Sequence, residues 1–250
     1  MPVARGPAMA ALLALLAITA LALGYTYWLA TGFDMSAMMS PTFVPWTLAY
    51  FAFMLAMWVI MMIGMMTPSV APTVLLYAEF ARRSRVQGVV FPAAGWFVAG
   101  YLLAWSAFAL AATLLQWLLE WLALITPMMA GTSQLLGGAM LVAAGVYQWL
   151  PVKQACLTQC RAPMAFIQRQ GGFPSRARGA IRVGWLHGLY CIGCCWAVML
   201  LLFAFGVMNL QWIAGLMVFV LLEKVVPRPM LFSRAAGVAA VIAGVLLMLE

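Results

Sequence analysis

From Trp46 to Met66, from Pro92 to Leu119 and from His187 to Val207 the chain runs without an Asp, Glu, Lys or Arg. Runs of this length constrain the fold more than any motif does. A helix needs about 20 mostly apolar residues to cross the hydrocarbon core of a bilayer. Lipid offers the backbone no hydrogen bonds, so a spanning element must be a helix or part of a closed barrel. These runs are continuous rather than alternating, which selects helices. Charged residues make up only 7% of the chain, against about 25% in soluble domains. So little charge cannot coat a water-facing surface.

The expected fold is an all-α integral membrane protein with about seven transmembrane helices in one bundle, over 8–30, 46–66, 92–119, 133–150, 187–207, 210–226 and 234–249. The first run is long for a signal peptide, and Gly24-Tyr25-Thr26-Tyr27-Trp28 makes a poor cleavage site. Residues 1–250 are read as a single polytopic domain, with a polar cytoplasmic loop over 151–185 that carries Cys156 and Cys160. Gly171, Gly172, Phe173, Pro174 and Ser175 mark a turn within it.

Charge gives the orientation. With the N-terminus in the cytoplasm and the C-terminus outside, all 13 basic residues fall on the cytoplasmic side. That matches the excess of Lys and Arg in cytoplasmic loops. The outer loops then hold Asp34 and Glu120. The net charge of +8 therefore reports orientation, not nucleic-acid binding. The location expected is a bacterial cytoplasmic (inner) membrane, crossed several times.

The densest group of reactive side chains is His187-Gly188-Leu189-Tyr190-Cys191-Ile192-Gly193-Cys194-Cys195, expected at the cytoplasmic start of the fifth span. At 100° per residue, His187, Cys191 and Cys194 fall within about 60° of arc, with Cys195 at its edge. Thiolates favour soft metals such as Cu(I), or zinc. The other two cysteines, Cys156 and Cys160, are spaced to share a face of a helix. In the cytosol these thiols stay reduced, which argues against structural disulfides. Cysteine is also a small hydrophobe that packs without further role.

Methionine is the second signal, with 20 in the chain. Met54, Met57, Met61 and Met65 share one helical face, with Met62 and Met66 beside it. Met61 and Met65 are the weaker candidate ligands there, since methionine also fills core gaps. The outer loop adds Met35, Met38 and Met39 beside Asp34, a candidate collection point for Cu(I). The stretch Thr67-Pro68-Ser69-Val70-Ala71-Pro72 is expected to break or end the second helix. Glu79 and Glu223 sit near helix ends, where ionisable groups mark function, and Glu223 beside Lys224 reads as an ion pair.

The segments Trp58 to Pro68, Gly145 to Gln148 with Cys156, Cys160, Arg161 and Pro163, and Gly184 to Trp196 resemble a bacterial domain-of-unknown-function family of predicted metal-binding integral membrane proteins. Leu222-Glu223-Lys224 fits the same pattern. The resemblance implies membrane location and metal binding, and no particular reaction.

The function expected from these readings is copper handling, delivery or transport. Copper would be held as Cu(I), with zinc the runner-up, by His187, Cys191, Cys194, Cys195, Cys156 and Cys160. The alternatives are an accessory subunit of a larger membrane complex, or a membrane thiol oxidoreductase using Cys191 and Cys194. The cytoplasmic placement of the thiols argues against the oxidoreductase, and no enzymatic role is favoured. The partners expected are the lipid bilayer and a metallochaperone or larger complex. The reading leaves room for a homo-oligomer and includes no nucleic acid.

Overall fold

The computed structural model describes residues 6–32, 46–86, 94–122, 124, 134–207 and 209–249, and these are helical with short connections. In chain order they form α1 (Gly6–Gly32), α2 (Leu48–Val86), α3 (Ala94–Trp121), α4 (Gln134–Tyr147), α5 (Pro151–Arg161), α6 (Pro163–Arg169), α7 (Ala177–Phe205), α8 (Leu210–Val225) and α9 (Pro229–Leu249). The outer loop with Asp34, Met35, Met38 and Met39 lies outside the described residues.

Five helices contain stretches long and apolar enough to cross a membrane: Met9–Trp28, Leu48–Ser84, Ala94–Trp121, Ala177–Phe205 and Pro229–Leu249. A sixth is reached if α4 and α5, bent by 66° at their junction, count as one. The expected spans at 133–150 and 210–226 correspond to helices of 14 and 16 residues. These are about 21 and 24 Å long at 1.5 Å per residue, shorter than a hydrocarbon core of about 30 Å.

The second helix does not end at its prolines. α2 runs through Pro68 and Pro72 to Val86, and hydroxyls add bonds to carbonyls near the prolines. Thr67 donates to the Ile63 carbonyl at 2.6 Å and Ser69 to the Met66 carbonyl at 2.8 Å. Tyr101 of α3 also donates to the Met66 carbonyl, at 3.1 Å. Neighbouring hydroxyls are what make proline tolerable inside such helices.

The stretch 151–185 is likewise not a loop. Most of it is α5, α6 and the start of α7, joined by a turn at Gly171 and Gly172, both at positive φ. Phe173 in that turn stacks on Phe80 at 3.6 Å between ring centroids and packs on Tyr77 at 5.3 Å. The turn therefore closes over the end of α2. α7 starts ten residues before His187. Arg178 and Arg182 lower the hydropathy of those first turns, yet Ala180, Val183 and Gly184 on the inner face are buried.

α3 and α7 form the closest pairing near the cysteines. A Cβ at Gly184 would meet the Phe97 carbonyl oxygen at 2.0 Å, and one at Gly100 would meet that of Ile181 at 2.0 Å. Only glycine allows such backbone contact, as at many helix crossings in lipid. α4 and α9 pair in the same way, through Gly138, Gly145, Gly237 and Gly244.

Candidate metal centre

α7 carries Cys191 and Cys194, three residues apart and therefore on one face. α5 packs against α7 and brings Cys160 to them. The three sulfurs lie within 4.8 Å of one another, and all three residues are buried. One helix cannot surround an ion, and α5 brings a third sulfur beside the two on α7.

The other sequence candidates lie around this group. Cys156, one turn before Cys160, is partly buried. Its sulfur rests against the backbone of Gly193, where an added Cβ would meet it at 2.7 Å. Cys195 is fully buried, and its thiol donates to the Cys191 carbonyl at 2.9 Å, as does that of Cys194 at 3.0 Å. His187, one turn before Cys191, is 1% exposed. Its ring sits among Phe166, Phe97 and Tyr101 at centroid distances of 5.1, 5.7 and 6.1 Å. Its Nδ1 has no hydrogen-bond partner among the described residues. Met61 and Met65 belong to the buried core, with the rest of the α2 methionine stripe.

Three polar groups converge on Cys191. The Tyr101 hydroxyl lies 3.2 Å from its sulfur and Ser69 Oγ 3.9 Å away. Lys224 donates to the sulfur at 3.1 Å and to Ser69 Oγ at 3.0 Å. Tyr101 and Ser69 were not legible as site residues. Their trace in the sequence is a hydroxyl inside an otherwise apolar run, beside Pro68 in the case of Ser69.

Lys224 does not pair with its neighbour Glu223. Successive residues on a helix point about 100° apart, so the two side chains enter different sides of the bundle. Glu223 instead accepts from Lys153 at 2.6 Å and from Ser233 at 2.6 Å, and Lys153 also bonds Gln148. Glu79 plays no part in this region: it is held by Arg82 at 2.7 Å and Arg83 at 2.8 Å on its own helix.

Glu120 is not in an outer loop. It is buried in the last turn of α3, where it accepts from Trp46 and Gln116, both at 2.8 Å. Trp58 donates to Gln116 at 2.8 Å, and Gln116 reaches the Met54 sulfur at 3.7 Å. The methionine stripe thus has a satisfied polar cluster at its Met54 end.

No curated protein and no solved structure matches the chain. The model of the PpoB2 family, described as a copper chaperone, matches residues 55–247. That stretch contains all five cysteines and His187, and the thiol group fits copper handling. The match spans most of the sequence, and the chain belongs to the PpoB2 copper chaperone family.

Proposed function

We propose that the protein is an integral membrane copper chaperone that carries Cu(I) as cargo on Cys160, Cys191 and Cys194. The observation that carries this reading is the meeting of three buried sulfurs from two helices within 4.8 Å. Metal–sulfur bonds of about 2.3 Å around a trigonal ion space the sulfurs about 4 Å apart, so a small inward movement closes the site. Cu(I) accepts two or three soft ligands. Zinc asks for a tetrahedron of four, and neither His187, Cys195 nor Cys156 belongs to the three-sulfur group.

The remaining candidates take secondary places. Cys156, partly buried one turn from Cys160, is placed to accept the ion on its way to an acceptor protein. The unpartnered Nδ1 of His187 is a further ligand available during that exchange. The membrane setting rests on the five long apolar helices, with α4 and α8 as short additional crossings that complete seven. The cytoplasmic N-terminus rests on charge. Arg82 and Arg83 on α2, and Arg178 and Arg182 on α7, belong to the ends that Phe173 brings together against Tyr77 and Phe80.

The test is copper content after purification in detergent under reducing, copper-replete conditions. Wild type should carry about one Cu(I) per chain, as the coordination preference predicts. Cys191→Ser with Cys194→Ser should carry none and retain its helical circular dichroism. A metal-free wild type, or a loaded double variant, would overturn the reading.

A further inference from the structure

Lys224 reaches the thiol group and has no ion pair among the described residues. Its polar partners are the Ser69 hydroxyl and the Cys191 sulfur. The nearest carboxylate in sequence, Glu223, is committed to Lys153. A half-buried cation at an apolar bundle without an anion is costly, so its retention next to a ligand sulfur calls for a charge that arrives with the cargo.

The ligand chemistry supplies that charge. When Cu(I) is held by Cys160, Cys191 and Cys194 as two thiolates and one neutral thiol, two S–H protons leave to water: Cu⁺ + 3 RSH → [Cu(SR)₂(RSH)]⁻ + 2 H⁺. The resulting centre bears one negative charge. An ammonium hydrogen-bonded to one of those sulfurs makes the assembly neutral, the state an apolar surrounding favours. A divalent ion on the same two thiolates is already neutral, and Lys224 would then leave a net positive charge.

We propose that Lys224 is the built-in countercharge of the copper–thiolate centre, a positioning residue that holds Cys191 and biases the site toward a monovalent ion. This rests on the thiol reading above. Tyr101 and Ser69 fix the arrangement by anchoring to the Met66 carbonyl, which ties α2 and α3 to Cys191. The turn around Pro68 thereby becomes part of the site's scaffold.

The experiment compares Lys224→Met, close in shape but uncharged, with Lys224→Arg, which keeps the charge. Competition with a Cu(I) chelator gives the copper affinity, and zinc titration of the same reduced preparations gives the zinc affinity. Losing a charge contact at this range should weaken Cu(I) in Lys224→Met by at least about tenfold. Lys224→Arg should stay within about threefold of wild type, about 0.7 kcal/mol. Zinc affinity in Lys224→Met should hold or rise. Wild-type copper affinity in Lys224→Met, equal losses in both variants, or parallel loss of copper and zinc would each overturn the countercharge while leaving the thiol site standing. A wild type that binds no Cu(I) removes both readings.

Discussion

Lys153 is buried in this bundle and Lys224 half-buried, and their surroundings differ in one respect. Lys153 has a carboxylate partner, Glu223 at 2.6 Å, and the cluster is completed by Gln148 and Ser233. Lys224 has a hydroxyl and a thiol, with no carboxylate partner among the described residues. The first is a closed ion pair joining α5, α8 and α9. The second is an open cation between α2, α7 and α8, beside the sulfurs that the cargo would meet. Charges in such interiors are kept where they are paired or where they act, and this chain shows one of each. The difference teaches that the adjacent Glu223 and Lys224 do separate jobs, because one step along a helix sends them to different neighbours.

The largest expected effect separates the two lysines by stability. Lys153→Met strands Glu223, whose second oxygen already has no partner, as an uncompensated buried anion. Breaking a buried pair from one side costs about 3–5 kcal/mol, so this variant should show the greatest drop in Tm. Adding Glu223→Leu should recover most of the loss, since replacing a whole buried pair with apolar residues is often neutral. A Lys153→Met protein of unchanged Tm would break the comparison by showing that the pair bears little on folding.

A second, smaller contrast uses the serine in each cluster. Ser233→Ala takes one donor from Glu223, and Ser69→Ala takes the hydroxyl partner from Lys224. Each should cost about 1–3 kcal/mol, the range for leaving a buried polar group short of a partner. Only Ser69→Ala should also weaken copper binding, because Ser69 lies 3.9 Å from the Cys191 sulfur and anchors the lysine that holds it. Equal copper affinities in the two variants would dissolve the distinction between a structural and a functional cluster.

Much of the frame was legible from the chain. Apolar runs placed the long helices, and the spacing of His187, Cys191 and Cys194 placed those residues on one face. The i, i+4 spacing of Cys156 and Cys160 puts both thiols on one face only if their stretch is helical, and α5 is a helix. Partners across helices were not legible. Hydropathy sums composition and carries no direction, so the polar stretch 151–185 gives no sign that Lys153 within it is fully buried. Pro68 and Pro72 read as a break because proline removes a helical donor, and the packing of Tyr101 from another helix onto the Met66 carbonyl leaves no trace in that stretch. Which of Cys156 and Cys160 meets the α7 thiols depends on how α5 is rotated against Gly193, and no single-helix pattern encodes that.

The smallest effect is expected where the sequence signal was loud but diffuse, in the methionine stripe of α2. Met61 and Met65 are each 1% exposed, and their thioethers sit within a packed core that reaches the cysteines. Leucine has nearly the volume of methionine, and such swaps usually cost less than about 1.5 kcal/mol. The pair Met61→Leu and Met65→Leu therefore removes two sulfurs while keeping the packing. If the thiols alone hold copper at equilibrium, the double variant should keep about one Cu(I) per chain, with affinity within about threefold of wild type and little change in Tm. The arithmetic leaves room to decide: losing a ligand sulfur should cost more than tenfold, about 1.4 kcal/mol, well outside that margin. Chelator competition on wild type, Met61→Leu/Met65→Leu and Ser69→Ala side by side would settle which neighbours of Cys191 matter. A methionine variant weaker than Ser69→Ala would extend the copper centre into α2 and shift weight from Lys224 to the thioethers.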